Sequence, residues 1–539
     1  MKRIPVLLLL TVLFMSPVIA GGIVTNMNQS AKYTRMLCRD ATLGIDAVFY
    51  NPAGLTKLGN GFHFSINNQT IGQSREIGST YQYLKPTTPK DFEAGVSAPL
   101  FPGVYAAFRL GKFAISAGFN PIGGGGSATY DKGLPSLEYG VSDLVPMLAA
   151  QGQNITDYNL DALFEGSSTF FGYQANLSYK INDMLSVAVG GRYVTAKEVY
   201  TGHLKDVQIF MDGAWVPAPT FFEGAAAQYT TYATQFTGAA TNLQNAITGG
   251  LIGANDPLTD LFAIGTLTAL GLYAPGMTNS QAVAAFTGAA ASATVGAQQS
   301  AAAANALSDQ EVDAEKTGSG ITPIVSVNIS PIEMLNIAVK YEFKTRLKLT
   351  TSASADKQGL VGFDLVTGAP EYLFPDGEET NLDLPAMLTT GVTLKPMNPL
   401  LISGGFHYFF DKDVDWDGRE EYVDRGLYEI ALGAEYTIGE KLAVSAGYLL
   451  TSAGVKDEYQ NDQIHSLSAN TVGGGVGFKI TDMIELNLAG SYTKYVEAEK
   501  TFDRELGGDG RSGIFNSLTE TYNRNAWIVA IGLDISIAR

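Results

Sequence analysis

Hydrophobic and polar residues alternate with a period of two along most of the chain. Between positions 484 and 492, Ile484, Leu486, Leu488, Gly490 and Tyr492 share one face, while Glu485, Asn487, Ala489 and Ser491 share the other. Leu335, Ile337, Val339, Tyr341 and Phe343 alternate in the same way with Asn336, Ala338, Lys340, Glu342 and Lys344. Near the end of the chain, Val529, Ile531, Leu533, Ile535 and Ile537 alternate with Ala530, Gly532, Asp534 and Ser536. Strands of a soluble sandwich usually span about five or six residues, whereas these runs reach about ten or more. One face is aliphatic and aromatic and the other small and polar, which suits a wall between lipid and a wet lumen. Tyr179, Tyr341, Tyr436, Tyr448 and Tyr492 fall near expected strand ends, where aromatic girdles belong.

The connections sharpen this reading. Very short turns at 110–112, 180–183, 330–333, 395–398, 438–440 and 480–482 alternate with long irregular segments. Short periplasmic turns and long external loops are the two-sided pattern of an outer-membrane barrel. The spacing predicts strands near 61–71, 102–110, 112–120, 168–180, 184–204, 319–330, 334–350, 380–395, 398–411, 425–437, 440–453, 465–480, 484–498 and 521–537. The expected fold is therefore all-β: a transmembrane antiparallel β-barrel of about 14 strands, an even number that puts both ends in the periplasm.

Three segments depart from the alternation. Residues 1–20 read as an export signal, with Lys2 and Arg3 before an apolar run and Val18 and Ala20 at a small-residue cleavage site. Residues 21–60 lack strand alternation and are expected to form an N-terminal hatch, or plug, inside a barrel spanning 61–539. An Ala/Gly-rich insertion over about 206–318 has few charges in its middle. Its 281–307 run is Ala-rich enough for helix, which suggests a partly helical extracellular loop with a pair of short apolar helices; a low-complexity loop is the alternative.

Composition narrows the function. With a formal net charge of −18 and 16% charged residues over 539 positions, the chain lacks the basic patterning needed to bind nucleic acid. Cys38 is the single cysteine, and the four histidines are scattered without metal-ligand spacing. Asp462 and His465 are the only neighbours suggestive of a catalytic pair, and they lack a third partner, so no enzyme is expected.

Just before the first expected strand stands Ala47-Val48-Phe49-Tyr50-Asn51-Pro52-Ala53-Gly54-Leu55. With this motif at the end of a hatch-length segment, the chain resembles the FadL/TodX family of outer-membrane long-chain fatty acid and hydrocarbon transporters. Further similar stretches are Asn381-Leu382-Asp383-Leu384-Pro385-Ala386, Leu432-Gly433-Ala434-Glu435-Tyr436 and Ser445-Ala446-Gly447-Tyr448. The resemblance implies passive uptake of hydrophobic compounds through a hatch motif at Asn51, Pro52 and Ala53. It also implies a kinked third strand that touches this motif and leaves a lateral opening. The matching stretch holds Asn120, Pro121, Gly123, Gly124, Gly125 and Gly126, and its physics agrees, since Pro121 cannot donate to the ladder and the glycines permit unusual backbone. The chain departs from the family at the strand-five cation, where Gly202 and His203 stand, and in ending on Arg539 rather than an aromatic residue.

A carboxylate head group would need a lumen cation. By parity Arg192, Lys340, Lys344 and Arg346 face inward, and each is a candidate unless it balances lumen acids such as Glu342, Glu429 and Glu435. Asp413, Asp415, Asp417 and Asp424 reproduce the spacing of a calcium loop, so Ca2+ is a candidate for this external segment, although no cofactor is required. The expected partners are fatty acids, hydrocarbons and detergent-like lipids, outer-membrane lipid, and the barrel-assembly machinery, with the protein a monomer in the bacterial outer membrane. The rival readings are a structural or adhesive surface barrel whose loops bind host or phage partners, and a polar-solute porin.

Overall fold

The computed structural model describes residues 26–538 apart from Thr87, 364–368 and 508–512. The expected export signal and Arg539 lie outside the described residues. A closed antiparallel barrel of 14 strands encloses the N-terminal segment. The strands are β1 (Gly61–Ser79), β2 (Lys90–Leu110), β3 (Phe113–Tyr130), β4 (Ile155–Lys180), β5 (Leu185–Met211), β6 (Gln310–Ile332), β7 (Leu335–Glu342, resuming as Lys348–Gln358) and β8 (Glu379–Asn381, resuming as Met387–Met397). They continue as β9 (Leu400–Phe409), β10 (Tyr428–Ile438), β11 (Leu442–Ser452), β12 (Ala469–Lys479), β13 (Ile484–Tyr495, resuming as Ala498–Glu505) and β14 (Phe515–Ala538). Closure is made by β1 on β14, from Gly61 opposite Ala538 to Ser79 opposite Glu520.

The alternation read from the sequence is a division between outside and inside. Phe62, Ile66, Val189, Tyr193, Ile321, Leu432, Leu488, Val529 and Ile531 are exposed on the outer wall. Their chain neighbours His63, Ser65, Asn67, Arg192, Asn487 and Ala530 are buried in the lumen. A closed ladder leaves no free edge, and an apolar outer band removes the cost of lipid contact, so this surface spans a bilayer. No helix among the described residues is long and apolar enough to cross a membrane; the strands do so.

Several strands run further than the alternation indicates. β1 continues to Ser79, β2 starts at Lys90, β4 at Ile155 and β6 at Gln310. All four extensions lie at the long-loop end. Beyond the bilayer the outer face no longer has to be apolar, so the period fades while the backbone ladder continues.

The insertion is also more ordered than expected. After a short hairpin strand (Ala214–Pro217), it forms two long helices, α4 (Ala218–Thr248) and α6 (Asn279–Ala306), with α5 (Leu261–Ala269) between them. A capping box of Thr278 and Gln281 starts α6, and Asp260 caps α5. Phe236, Ala240, Leu267, Ala282, Phe286 and Ala290 form a core separate from the barrel. Its small side chains allow the close helix approach that an Ala-rich sequence can support. A further helix, α3 (Pro135–Ala150), follows β3 and packs on β4; the alternation gave no sign of it, because its apolar residues face the loop core rather than lipid.

Candidate functional site

The hatch is held from its first described residues onward. Ser30 caps the short helix α1 (Ala31–Met36) by accepting from the Tyr33 N–H, and Leu37 ends it in the left-handed region. A second short helix, α2 (Ala47–Tyr50), leads through Asn51 into a 3-10 turn, Pro52–Lys57. Asn51 Nδ2 donates to the Thr42 carbonyl at 3.0 Å and to Asn328 Oδ1 at 2.7 Å. The Ala53 N–H donates to Ser326 Oγ at 3.0 Å. Ser178 and Ser186 donate to the Pro52 and Ala53 carbonyls at 2.7 and 2.9 Å. The Asn-Pro-Ala turn is thus bonded to β4, β5 and β6, and its backbone groups are satisfied by wall side chains.

Ion pairs hold the rest of the hatch. Lys32 reaches Asp534 at 2.8 Å and Glu485 at 3.0 Å, and Arg35 reaches Glu435 at 2.9 Å. His407 sits between Asp40 of the hatch and Glu429 of the wall, 2.7 Å from each. Glycines on the facing strands let the hatch backbone approach. At Gly447 and Gly433 a Cβ would collide with the Met36 carbonyl oxygen.

β3 carries the irregularity expected at 120–126. β2 and β3 pair from Leu110 opposite Phe113 to Val104 opposite Phe119, and again from Ser97 opposite Ser127, but not between. Toward β4 the register slips twice, between Pro121 and Gly123 and between Gly124 and Ser127. Gly124 and Gly126 have positive φ, and a Cβ at Gly124 would overlap the Ser168 carbonyl. The break lies level with the outer apolar band, because Asn68 pairs with Pro102 on one side and with Ile531 on the other.

Exposed polar backbone here would be costly in lipid. Pro99, Pro102 and Pro121 lower that cost by having no N–H. The hatch supplies further partners: the Asn26 N–H donates to the Ile122 carbonyl at 2.7 Å, and Gln29 Nε2 donates to the Pro121 carbonyl at 2.9 Å. Asn120 is fully buried with both side-chain polar atoms unpartnered. The hydrogen bonds to the kink therefore come from Asn26–Gln29, while the turn that holds the Asn-Pro-Ala motif packs near β3 and directs its own bonds to β4, β5 and β6.

Above the hatch lies a cavity of about 440 Å3. Met27, Tyr33 and Leu37 form its floor, Tyr130, Phe164, Phe409, Leu449 and Ile464 its apolar walls, and Gly124 and Gly126 connect it to the break in the wall.

The expected lumen cations are mostly occupied. Arg192 binds Glu342 through both guanidinium nitrogens, donates to Gln174 Oε1, and lies 4.9 Å from the Phe49 ring of the hatch. Lys340 donates to Glu342 Oε1 at 2.7 Å and to the Phe49 carbonyl at 2.9 Å. Lys344 sits in the interruption of β7, 3.2 Å from Asp383. Arg346 is not a lumen residue. Lys340 and Glu342 are buried, but beyond the interruption Thr345, Leu347 and Leu349 are the buried set and Arg346 is exposed. The parity shifts by one at a bridge between Thr345 and Leu384, which exchanges the two faces.

In the acidic loop, Asp415 and Asp417 accept from the Asn381 side chain, and Asp417 also accepts from the Asn381 N–H. Asp424 lies 3.9 Å from Lys456, and Asp413 offers its backbone carbonyl to Lys344. Among the described residues no three His, Cys, Asp or Glu side chains gather so as to hold a metal ion. Asp462 accepts from the Ser136 N–H and makes no hydrogen bond to His465, whose ring has, among the described residues, no polar neighbour beyond a loose approach to the Asn461 backbone.

Sequence reasoning missed Gln29, Arg75 and Arg524. Arg75 lies beyond the expected end of the first strand, and only the continued alternation Gln73, Arg75, Ile77 would have placed it inside.

No protein-family model matches the sequence, and no curated protein sequence matches it. Solved structures share its fold. A Pseudomonas aeruginosa FadL homologue superposes with a TM-score of 0.56 at 14% identity, covering 96% of this chain and 99% of that one. The Pseudomonas putida toluene transporter TodX gives a TM-score of 0.49 at 13% identity, covering 96% of this chain and 100% of that one.

Proposed function

We propose that this barrel is an outer-membrane channel for the passive uptake of hydrophobic compounds, long-chain fatty acids among them. Ligand enters from the long-loop end, collects in the cavity above the hatch, and leaves sideways through the break between β2 and β3. The observation that carries this reading is the continuity of the cavity and its apolar wall with Gly124 and Gly126, at a point where the wall ladder stops level with the lipid band. The fold shared with a FadL homologue supports it. So does the hatch, which fills the lumen toward the short-turn end and opposes straight passage of polar solutes. In this orientation the short turns face the periplasm.

The test is to restore the ladder. Deleting Ile122 and Gly125 removes both register slips between β3 and β4, deleting Leu100 brings β2 into register with β1 and β3, and replacing Pro121, Gly123, Gly124 and Gly126 by Val or Thr supplies strand-forming residues. Uptake of labelled oleate by cells carrying this variant is expected to fall to background. The barrel should still be inserted, as judged by heat-modifiable gel mobility. Wild-type uptake through the repaired wall would refute the lateral route.

A further inference from the structure

Arg75 on β1 stands directly opposite Arg524 on β14, and both side chains line the cavity. Like charges facing each other across a ladder destabilise it, and the partial burial of both side chains adds to the cost. Neither guanidinium forms an ion pair with a carboxylate among the described residues. Arg75 meets only neutral acceptors, Gln73 Oε1 at 3.3 Å from Nε and the Tyr130 hydroxyl, and Arg524 stacks 5.2 Å from the Tyr495 ring with its Nε unpartnered among the described residues.

The loop above them adds donors without partners. His465 is 8% exposed and stacked on Tyr522, and beyond a loose approach to the Asn461 backbone its ring nitrogens have no partner among the described residues; the Gln463 side-chain amide is unpartnered among them too, and both residues line the same cavity. Burial and the two guanidinium charges push the His465 imidazole well below its ordinary pKa, so it stands neutral with one N–H to give.

The acids around the cavity are already engaged. Asp462 accepts from the Ser136 N–H, Glu429 from His407 and Thr451, and Glu198 from Tyr200. Glu520 accepts from the Tyr139 and Tyr522 hydroxyls. What the cluster lacks is an anion.

We propose that Arg75 and Arg524, with His465 and Gln463, bind the carboxylate head of an amphiphile whose tail lies along the apolar wall toward Gly124 and Gly126. The site would favour acids over neutral hydrocarbons. It deepens the uptake reading, on which it rests for the ligand's route.

The test uses the full-length protein in a neutral detergent, with oleate and oleyl alcohol as probes in a calorimetric titration. In the R75Q/R524Q variant, oleate binding is expected to weaken about 10- to 100-fold, as for loss of charge-assisted hydrogen bonds, while oleyl alcohol binds as before. Unchanged oleate affinity, or equal loss for both probes in a variant with normal heat-modifiable mobility, overturns the head-group site and leaves uptake standing. Failure of the wild-type protein to bind either probe overturns both. Inorganic phosphate competing with oleate as strongly as octanoate does would reassign the cluster to a free anion and overturn the amphiphile.

Discussion

Arg192 and Glu342 form a two-pronged ion pair, Nη1 to Oε2 at 2.6 Å and Nη2 to Oε1 at 2.9 Å. Lys340 shares the same carboxylate, and both cations pack on Phe49 of the hatch. These charges clamp the plug, and neither is free to meet a ligand. Removing the carboxylate leaves two buried cations without a counter-charge, a loss on the order of 3–5 kcal/mol. Glu342→Gln should therefore accelerate hydrogen exchange in hatch residues 45–57 while the barrel amides stay protected. Arg192→Gln should alter oleate and oleyl alcohol binding alike; a selective loss of oleate would return Arg192 to the head-group role.

The hatch also depends on what the wall omits. Because a Cβ at Gly447 would occupy the place of the Met36 carbonyl oxygen, Gly447→Val should push the hatch helix off the wall without preventing strand pairing. Single-channel recordings in planar bilayers are expected to show larger and more frequent openings than wild type. A closed channel with native conductance would mean that the hatch tolerates displacement.

Asp411 supplies a dependence on pH in the loop after β9. Burial raises its carboxyl to about 6, although the Leu427 N–H donates to it at 2.7 Å. The folded value lies above the unfolded value of about 3.9. The folded loop is therefore favoured while Asp411 is protonated, and that contribution is lost as pH rises from about 4 through about 6. Asp411→Asn should slow proteolysis of the 410–427 loop at pH 8, by an amount on the order of 2 kcal/mol. At pH 4 the two proteins should be cut at equal rates; an advantage of the same size at both pH values would exclude the titration.

The helical insertion is expected to behave as a separate cooperative unit. Phe286 is fully buried between α4 and α6, and Phe286→Ala should cost about 3–5 kcal/mol there. Hydrogen exchange should then rise across 218–306 with no change in the strands. A parallel rise in β5 and β6 would show that barrel and insertion unfold together.

Much of the fold was legible in the sequence, because a barrel in lipid imposes a local rule: every second residue must suit hydrocarbon. That rule determined the strands, their even number and the alternation of turns with loops. It lost force outside the bilayer, so the outer ends of β1, β2, β4 and β6 and the helix α3 were not read. Parity was followed correctly to Lys340 and Glu342 but not across the interruption of β7, since the bridge from Thr345 to Leu384 that shifts it is a long-range contact.

Alternation says which face a side chain occupies and nothing about which neighbours it meets there. Only the closed tertiary structure decided that Glu342 neutralises Arg192 and Lys340, that Gln29 rather than Asn51 bonds the kinked strand, and that Arg75 and Arg524 face one another. The last pair comes from the two ends of the barrel chain. Their charges meet because the first strand closes on the last, a relationship set by ring closure and carried by no local pattern.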